Sequence, residues 1–325
     1  MSVFRVTLCS LLLAGLAAAA DTPSPALLVL DKEGSLAIID PATRQAIAHV
    51  RTGDSPHEVA ASSDGRLAFV SNYGASTPGN TISVIDLVAQ KELHRVDLGP
   101  LRRPHGLSVA GGKLYFTCEI NQAIARYDPA TNQVDWLLGT GQSRTHMVHV
   151  TPDESHIYTA NVNSNTISLM HRTGAIDWTQ TVVPVGKAPE GFDLTPDGKE
   201  LWAANTHDGT VSIVDLAAER FVRSFRVDTK GSNRLKFTPD GRLVLISDIE
   251  AGDLLILEHA TKKLLKRMPV GQHPSGILVE PDSARAYVAV TGDNYVAVID
   301  LKSLELAARI SPGNGPDGMA WAVRK

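Results

Sequence analysis

Cysteine is nearly absent from this 325-residue sequence, which has two, Cys9 and Cys118. Cys9 falls in an N-terminal apolar segment that reads as a removable signal, so the mature chain keeps one thiol and no internal disulfide. For an exported chain this requires a core that holds without covalent staples. A lone Cys118 reads as a small buried apolar residue rather than a nucleophile. Aromatic residues are scarce at 5%, and neither sign of charge dominates, with 31 basic against 35 acidic residues. That balance argues against a nucleic-acid binder, which needs a basic surface for phosphates. There is no Cys-x-x-Cys-His for covalent haem, no Gly-x-Ser-x-Gly, no Walker loop and no dinucleotide fingerprint. Past the N-terminal segment no stretch keeps a helical period.

That segment is MSVFRVTLCSLLLAGLAAAAD. It carries one basic residue, Arg5, then an apolar run too short to span a membrane comfortably. Ala18 and Ala20 fit the small-x-small pattern before a cleavage site. We therefore expect a signal peptide over 1–20, cleavage before Asp21, and a mature domain over 21–325 that is periplasmic or secreted with no membrane span. Loss of Arg5 leaves 30 basic and 35 acidic residues, a net charge of −5.

What is present is a repeat of about 42 residues. One unit reads GKAPEGFDLTPDGKELWAANTHDGTVSIVDLAAERFVRSFRV, and another GQHPSGILVEPDSARAYVAVTGDNYVAVIDLKSLELAARISPG. Each has a Gly-x-x-Pro lead, a short apolar strand, a Pro-Asp-Gly-like turn, a second strand, a polar loop, a third strand ending near Asp, and a fourth. The lead position recurs at Pro56, Pro104, Thr145, Pro189, Asn233, Pro274 and Pro316, with an insertion over 76–79 in the first unit. The third-strand end recurs at Asp40, Asp86, Asp128, His171, Asp215, Glu258 and Asp300. Both registers count seven. Asp64-Gly65, Gly111-Gly112, Asp197-Gly198 and Asp240-Gly241 read as two-residue hairpin turns. Four strands per unit, repeated, predict an all-β, seven-bladed β-propeller of four-stranded antiparallel blades. One strand remains after Pro316 and three precede the first full unit, so one C-terminal and three N-terminal strands should close the ring and remove a free sheet edge.

These units resemble the YVTN-repeat β-propellers, also called YncE-like proteins. The resemblance is carried by Pro56-His57, Ser63-Asp64-Gly65, Ala68-Phe69-Val70-Ser71-Asn72 and Thr81-Ile82-Ser83-Val84-Ile85-Asp86, and again by Pro196-Asp197-Gly198, Trp202-Ala203-Ala204-Asn205 and Thr210-Val211-Ser212-Ile213-Val214-Asp215. It covers nearly all of the mature chain and implies the fold. The superfamily it implies includes propellers of nitrite and nitrous-oxide reductases, amine-dehydrogenase heavy chains and lactonases, so fold does not decide function. The reductases carry extra cytochrome or cupredoxin domains, for which this chain has no room.

A propeller binds at the mouth of its channel, where equivalent inner-strand positions converge. The residue after each lead position gives the series His57, His105, His146, Glu190, Arg234, Ser275 and Asp317. Ser275 indicates that the scaffold itself demands only a small polar residue there. His57, His105, His146, Glu190, Arg234 and Asp317 are the candidate ligand-binding residues. Three imidazoles and a carboxylate suit Zn²⁺ or Cu²⁺, so His57, His105, His146 and Glu190 are the candidate metal ligands; the alternative is hydrogen bonding between blades. His149 would extend the polar cluster or bond across a blade interface. Asn72, Asn161 and Asn205, ending second strands, should cap turns in a left-handed conformation. Asp86, Asp128, Asp215 and Asp300 should close turns. Asp248 with Glu250, and His207 with Asp208, read as solvated loop residues. The leading expectation is a monomeric binding or scaffold propeller for a small molecule or a periplasmic protein partner, leaning away from an enzyme. A metal-dependent lactonase- or lyase-type enzyme is the alternative, and an accessory protein handling metal or tetrapyrrole for a respiratory enzyme is the third.

Overall fold

A computed structural model describes residues 20–325, and the expected signal segment falls outside these residues except for Ala20. The chain forms seven four-stranded antiparallel sheets, six of them meandering in sequence order. Blade 1 is Pro56–Ala61, Leu67–Asn72, Thr81–Asp86 and Lys91–Asp97. Blades 2 to 6 begin with inner strands Pro104–Ala110, Thr145–Val150, Pro189–Leu194, Ser232–Phe237 and Pro274–Val279. Blade 7 is composite: Pro316–Ala322 pairs with Ala26–Asp31, which continues into Ser35–Asp40 and Gln45–Arg51. The closure is therefore the expected one-plus-three seam. It is tied by Asn314 N–H donating to Asp31 Oδ2 at 3.0 Å and by Arg324 N–H donating to Ser24 Oγ at 2.9 Å.

The period-2 pattern explains why a ring forms. Side chains alternate across a strand, so successive apolar residues serve opposite faces. In Ala26–Asp31, Leu28 and Leu30 join a cluster shared with blade 1, while Leu27 and Val29 join one shared with blade 6. The same division gives an apolar cluster at each of the seven blade interfaces. Burial of one such aliphatic side chain is worth roughly 1.5–3 kcal/mol. Outer strands such as Arg220–Arg226 face solvent and remain mostly exposed.

The turns differ in part from expectation. Only Gly111-Gly112 is a two-residue hairpin: Ala110 pairs with Lys113, and both glycines have positive φ, +56° and +76°. At Asp64-Gly65 the turn is longer. Gly65 N–H donates to the Ser62 carbonyl at 2.8 Å, and Asp64 Oδ1 accepts from Ser62 Oγ at 2.6 Å and Arg66 N–H at 3.1 Å. Thr195 with Asp197 and Thr238 with Asp240 repeat this arrangement. The third-strand aspartates close turns as expected; Asp86 Oδ1 accepts from Val88 and Ala89 N–H at 2.8 and 2.9 Å.

Three further readings are corrected. Asn72, Asn161 and Asn205 do not adopt the left-handed conformation. They are structural in another way: each side-chain amide donates to a Thr and a Ser of the third strand, as Asn205 does to Thr210 at 2.8 Å and Ser212 at 2.9 Å. Asp248 is no solvated loop residue. It is fully buried, takes the Asn position in blade 5, and accepts from Lys230 and Gly231 N–H at 2.9 Å each. Blade 5 is also shifted by one residue from the expected register. Ser232 pairs with Asp248 as Pro189 pairs with Asn205, so Ser232 holds the lead position, Asn233 follows it, and Arg234 lies one step deeper. Blade 5 lacks the lead proline, which removed the sequence marker for that register.

Trp202 is the largest fully buried side chain, wedged between blades 4 and 5 with Phe225, Phe237 and His259 edge-on at 5.1–5.4 Å. Trp202→Ala should cost about 3–5 kcal/mol, read as a lowered urea midpoint at unchanged slope. A loss under about 1 kcal/mol would contradict interdependent blades.

Candidate functional site

The inner strands stand side by side around the axis, and their polypeptide backbones approach closely. Gly106 shows how closely: a Cβ there would lie 2.6 Å from the His146 carbonyl oxygen of the next blade. Thr117 locks the same junction. Its hydroxyl accepts from Gly106 N–H at 2.9 Å and donates to the His146 carbonyl at 2.6 Å. His105 and His146 are thereby held with ring centroids 3.8 Å apart and planes tilted by 32°. His57 continues the series, its ring 5.2 Å from His105.

The residue that follows each second strand forms a second ring at the mouth. The positions are Lys32, Tyr73, Glu119, Val162, Thr206, Ile249 and Thr291. Sequence reasoning missed this ring, although aligning the residue after each second strand would have exposed the charged and aromatic departures. Glu119 is the important one. It is buried, contacts His146 Nδ1 through Oε1, accepts the Tyr73 hydroxyl at 2.6 Å through Oε2, and lies 3.5 Å from Arg144 Nε. Glu190 Oε1 lies 3.3 Å from His146 Nε2, within ion-pair range but out of line for a hydrogen bond. Asp317 Oδ2 lies 3.3 Å from Lys32 Nζ and 3.5 Å from His57 Nδ1.

Charge at the site follows from burial and partners. Burial pushes His57 down to about 4, with Asp317 opposing. Burial, reinforced by the neighbouring imidazoles, holds His105 well below the ordinary value. Burial also disfavours a charge on His146, but Glu119 and Glu190 outweigh it and raise its pKa. Burial works against an ionised Glu190, yet His146 brings it down to about 2. The mouth thus presents neutral His57 and His105 beside a His146 held between carboxylates. Among the described residues, His105 Nδ1 and His146 Nε2 are buried without a hydrogen-bond partner, as is Asn205 Oδ1 outside this cluster.

Of the six expected ligand-binding residues, the structure sets His57, His105, His146, Glu190 and Asp317 around the mouth. Arg234 lies beneath them and pairs across the channel with Glu58. This pair makes the mouth a cup. The channel continues below as a cavity of about 210 Å³ lined by Ser108, His149, Asp193 and Lys236. His149 belongs there, stacked near Tyr158, and does not extend the His146 cluster. Just before the insertion in blade 1, Arg103 donates to the Gly74 carbonyl and covers the Tyr73 ring at 4.4 Å. Beside it a rim pocket of about 340 Å³ is lined by Tyr73, Arg103, Glu119, Gln122 and Arg144.

Comparison with known proteins agrees with this architecture. The family described as "Lactonase, 7-bladed beta-propeller" matches residues 110–222. The protein "Uncharacterized protein YncE" of Salmonella typhi is 22% identical over 68% of this chain, and the chain spans 66% of that relative's length. Hydrazine synthase of Kuenenia stuttgartiensis superposes with a TM-score of 0.70 at 21% identity, covering 81% of this chain and 88% of that one. The periplasmic gluconolactonase PpgL of Pseudomonas aeruginosa gives 0.72 at 15% identity, covering 93% and 100%. At these identities the superpositions establish the fold alone.

Cys118 directly precedes Glu119, is fully buried, and has its thiol pushed up to about 12 by burial. A chain of residues 21–325, in which Cys118 is the one thiol, should therefore resist Ellman's reagent at pH 8 and react with one equivalent once unfolded in urea. Rapid stoichiometric reaction of the native protein would contradict the burial of the strand that presents Glu119.

Proposed function

We propose that this chain, a YncE-like seven-bladed β-propeller, is an exported ligand-binding protein that takes a small polar molecule, anionic in character, into its channel mouth. The observation that carries the reading is a buried imidazole nitrogen left without a partner, His105 Nδ1, beside a His146 whose Nε2 meets Glu190 only out of line. A buried polar group without a partner costs about 1–3 kcal/mol. The fold does not impose that cost, since blades 5 and 6 place Asn233 and Ser275 at the same ring position. A ligand seated in the cup would supply the partner that His105 Nδ1 lacks.

The surroundings favour an anionic ligand carrying hydroxyl or ring oxygens. Lys32, Arg103 and Arg144 stand at the rim, where they attract negative charge. Glu119, Glu190 and Asp317 sit inside and accept from hydroxyls. The Arg234–Glu58 pair closes the floor, so the ligand enters from the rim and does not pass through. Export is supported by the N-terminal segment, one basic residue followed by an apolar run that ends in Ala18-x-Ala20.

A second reading, lactonase-type hydrolysis at the same cup, is favoured by one arrangement. Glu119 and Glu190 bracket His146, and all three lie within the segment matched by the lactonase family. A carboxylate pair around an imidazole can hold and move the proton that hydrolysis of a cyclic ester requires.

Gluconate and glucono-1,5-lactone are suitable probes, applied to protein recovered from the periplasmic fraction with Asp21 as its first residue. We expect saturable binding of gluconate at one site per chain by calorimetry, lost in Glu190→Ala and Arg144→Ala. Lactone hydrolysis above the spontaneous rate that disappears in Glu190→Gln would establish the second reading. Binding unchanged in both alanine variants would place the ligand elsewhere and overturn the proposal.

A further inference from the structure

Within the cup, one ligand-capable atom from each of His105, Glu119 and His146 lies within 4.8 Å of the other two. Two metal–ligand bonds of about 2 Å each span at most about 4 Å, so movements of less than about an ångström bring all three donors onto a single ion. We propose that these three side chains bind one divalent transition-metal ion of the zinc class, and that the ion is the part of the cup that engages the ligand. This inference rests on the reading of the mouth as a binding site.

Four features support it. All three residues are buried, and His105 Nδ1 has no partner, while His146 turns Nδ1 to Glu119 and Nε2 to Glu190. An unpartnered imidazole nitrogen such as that of His105 can donate to a Lewis acid or accept from a proton donor. The donor set of two imidazoles and a carboxylate is the type that leaves zinc an open position for water or ligand, and imidazole also suits copper, nickel and iron. The spacing between the histidines is fixed by backbone rather than by side-chain choice. Gly106 and Thr117 clamp the inner strands of blades 2 and 3, so the ligands are presented on rigid elements. Finally, supporting contacts are in place. Tyr73 donates to Glu119 Oε2 and orients that carboxylate, while Glu190 stands 3.3 Å from His146 Nε2. Partners of this kind fix metal ligands and tune their affinity. In the structure His146 Nδ1 bonds Glu119 directly, so entry of the ion exchanges that contact for two metal bonds. Blades 5 and 6 carry Asn233, Ser275, Ile249 and Thr291 at the equivalent positions and offer no comparable set.

The set differs from the one expected on sequence grounds. His105 and His146 are common to both, Glu119 is new, and His57 and Glu190 stand beside the three.

The test uses the mature protein stripped with EDTA and titrated with Zn²⁺ by calorimetry and with Co²⁺ by visible absorption. We expect one ion per chain and visible Co²⁺ bands with the intensity of four- or five-coordination. His105→Ala and His146→Ala should each lower Zn²⁺ affinity by more than roughly 100-fold, and Tyr73→Phe by roughly 10-fold. His207→Ala, on an exposed rim loop, should leave it unchanged. X-ray absorption of the wild-type zinc complex should resolve two imidazole scatterers, which keeps the proposal testable should either alanine variant fail to fold. Absence of stoichiometric binding, or binding undiminished in both variants, would overturn the metal site. If gluconate still binds the EDTA-stripped protein through Glu190 and Arg144, the metal inference fails while the ligand cup stands. Loss of both would overturn the two together.

Discussion

The inner strands of seven blades must share one axis, and each blade is dry only when a neighbour lies against each of its faces. These two requirements are met by one interaction, the close packing of adjacent inner strands. Gly106 has no side chain because the His146 carbonyl occupies that space, and Thr117 bonds both strands across the junction. The same glycine approach recurs at Gly191, Gly276 and Gly318, and behind the inner strands seven apolar clusters, each owned by two blades, close into a ring only with the composite blade at the seam. A ring of this kind tolerates unfavourable groups at its mouth, since the stabilising burial lies in the blade interfaces around it.

The mouth uses that tolerance unevenly. Blades 1 to 4 contribute His57, Tyr73, His105, Glu119, His146 and Glu190, while blades 5 and 6 contribute Asn233, Ser275, Ile249 and Thr291. One side of the cup is crowded with buried ionisable groups and the other is bland. Imidazoles stacked 3.8 Å apart between carboxylates gain little from the fold itself. Their arrangement becomes useful when something from outside completes it. The Arg234–Glu58 pair beneath is a different device. It joins blades 1 and 5 across the axis and gives the cup a floor.

Fold and site were legible to different degrees, for a physical reason. Apolar alternation and turn residues repeat seven times, so the ring and its one-plus-three seam could be counted from sequence. The register of blade 5 could not, because Ser232 replaces the lead proline that marks five of the other six blades, and Asn233 beside it reads equally well as the lead residue. His105, His146 and Glu190 were legible as departures at one repeated position. Glu119 and Tyr73 were legible in principle, at the position after each second strand, but only once both rings are seen to face one cup. The Asn-to-Thr/Ser bonds were hidden more deeply. They depend on the second and third strands facing each other in register, which no single repeated residue announces.

The central claim is that the imidazoles of the mouth serve an external partner and not the fold. Equilibrium urea unfolding of the stripped, ligand-free His105→Ser variant tests it most directly, because serine is what blade 6 carries at the same ring position. The account predicts a stability within about 1 kcal/mol of the wild type. A loss greater than about 2 kcal/mol would show that the imidazole holds the ring together, and would contradict the account.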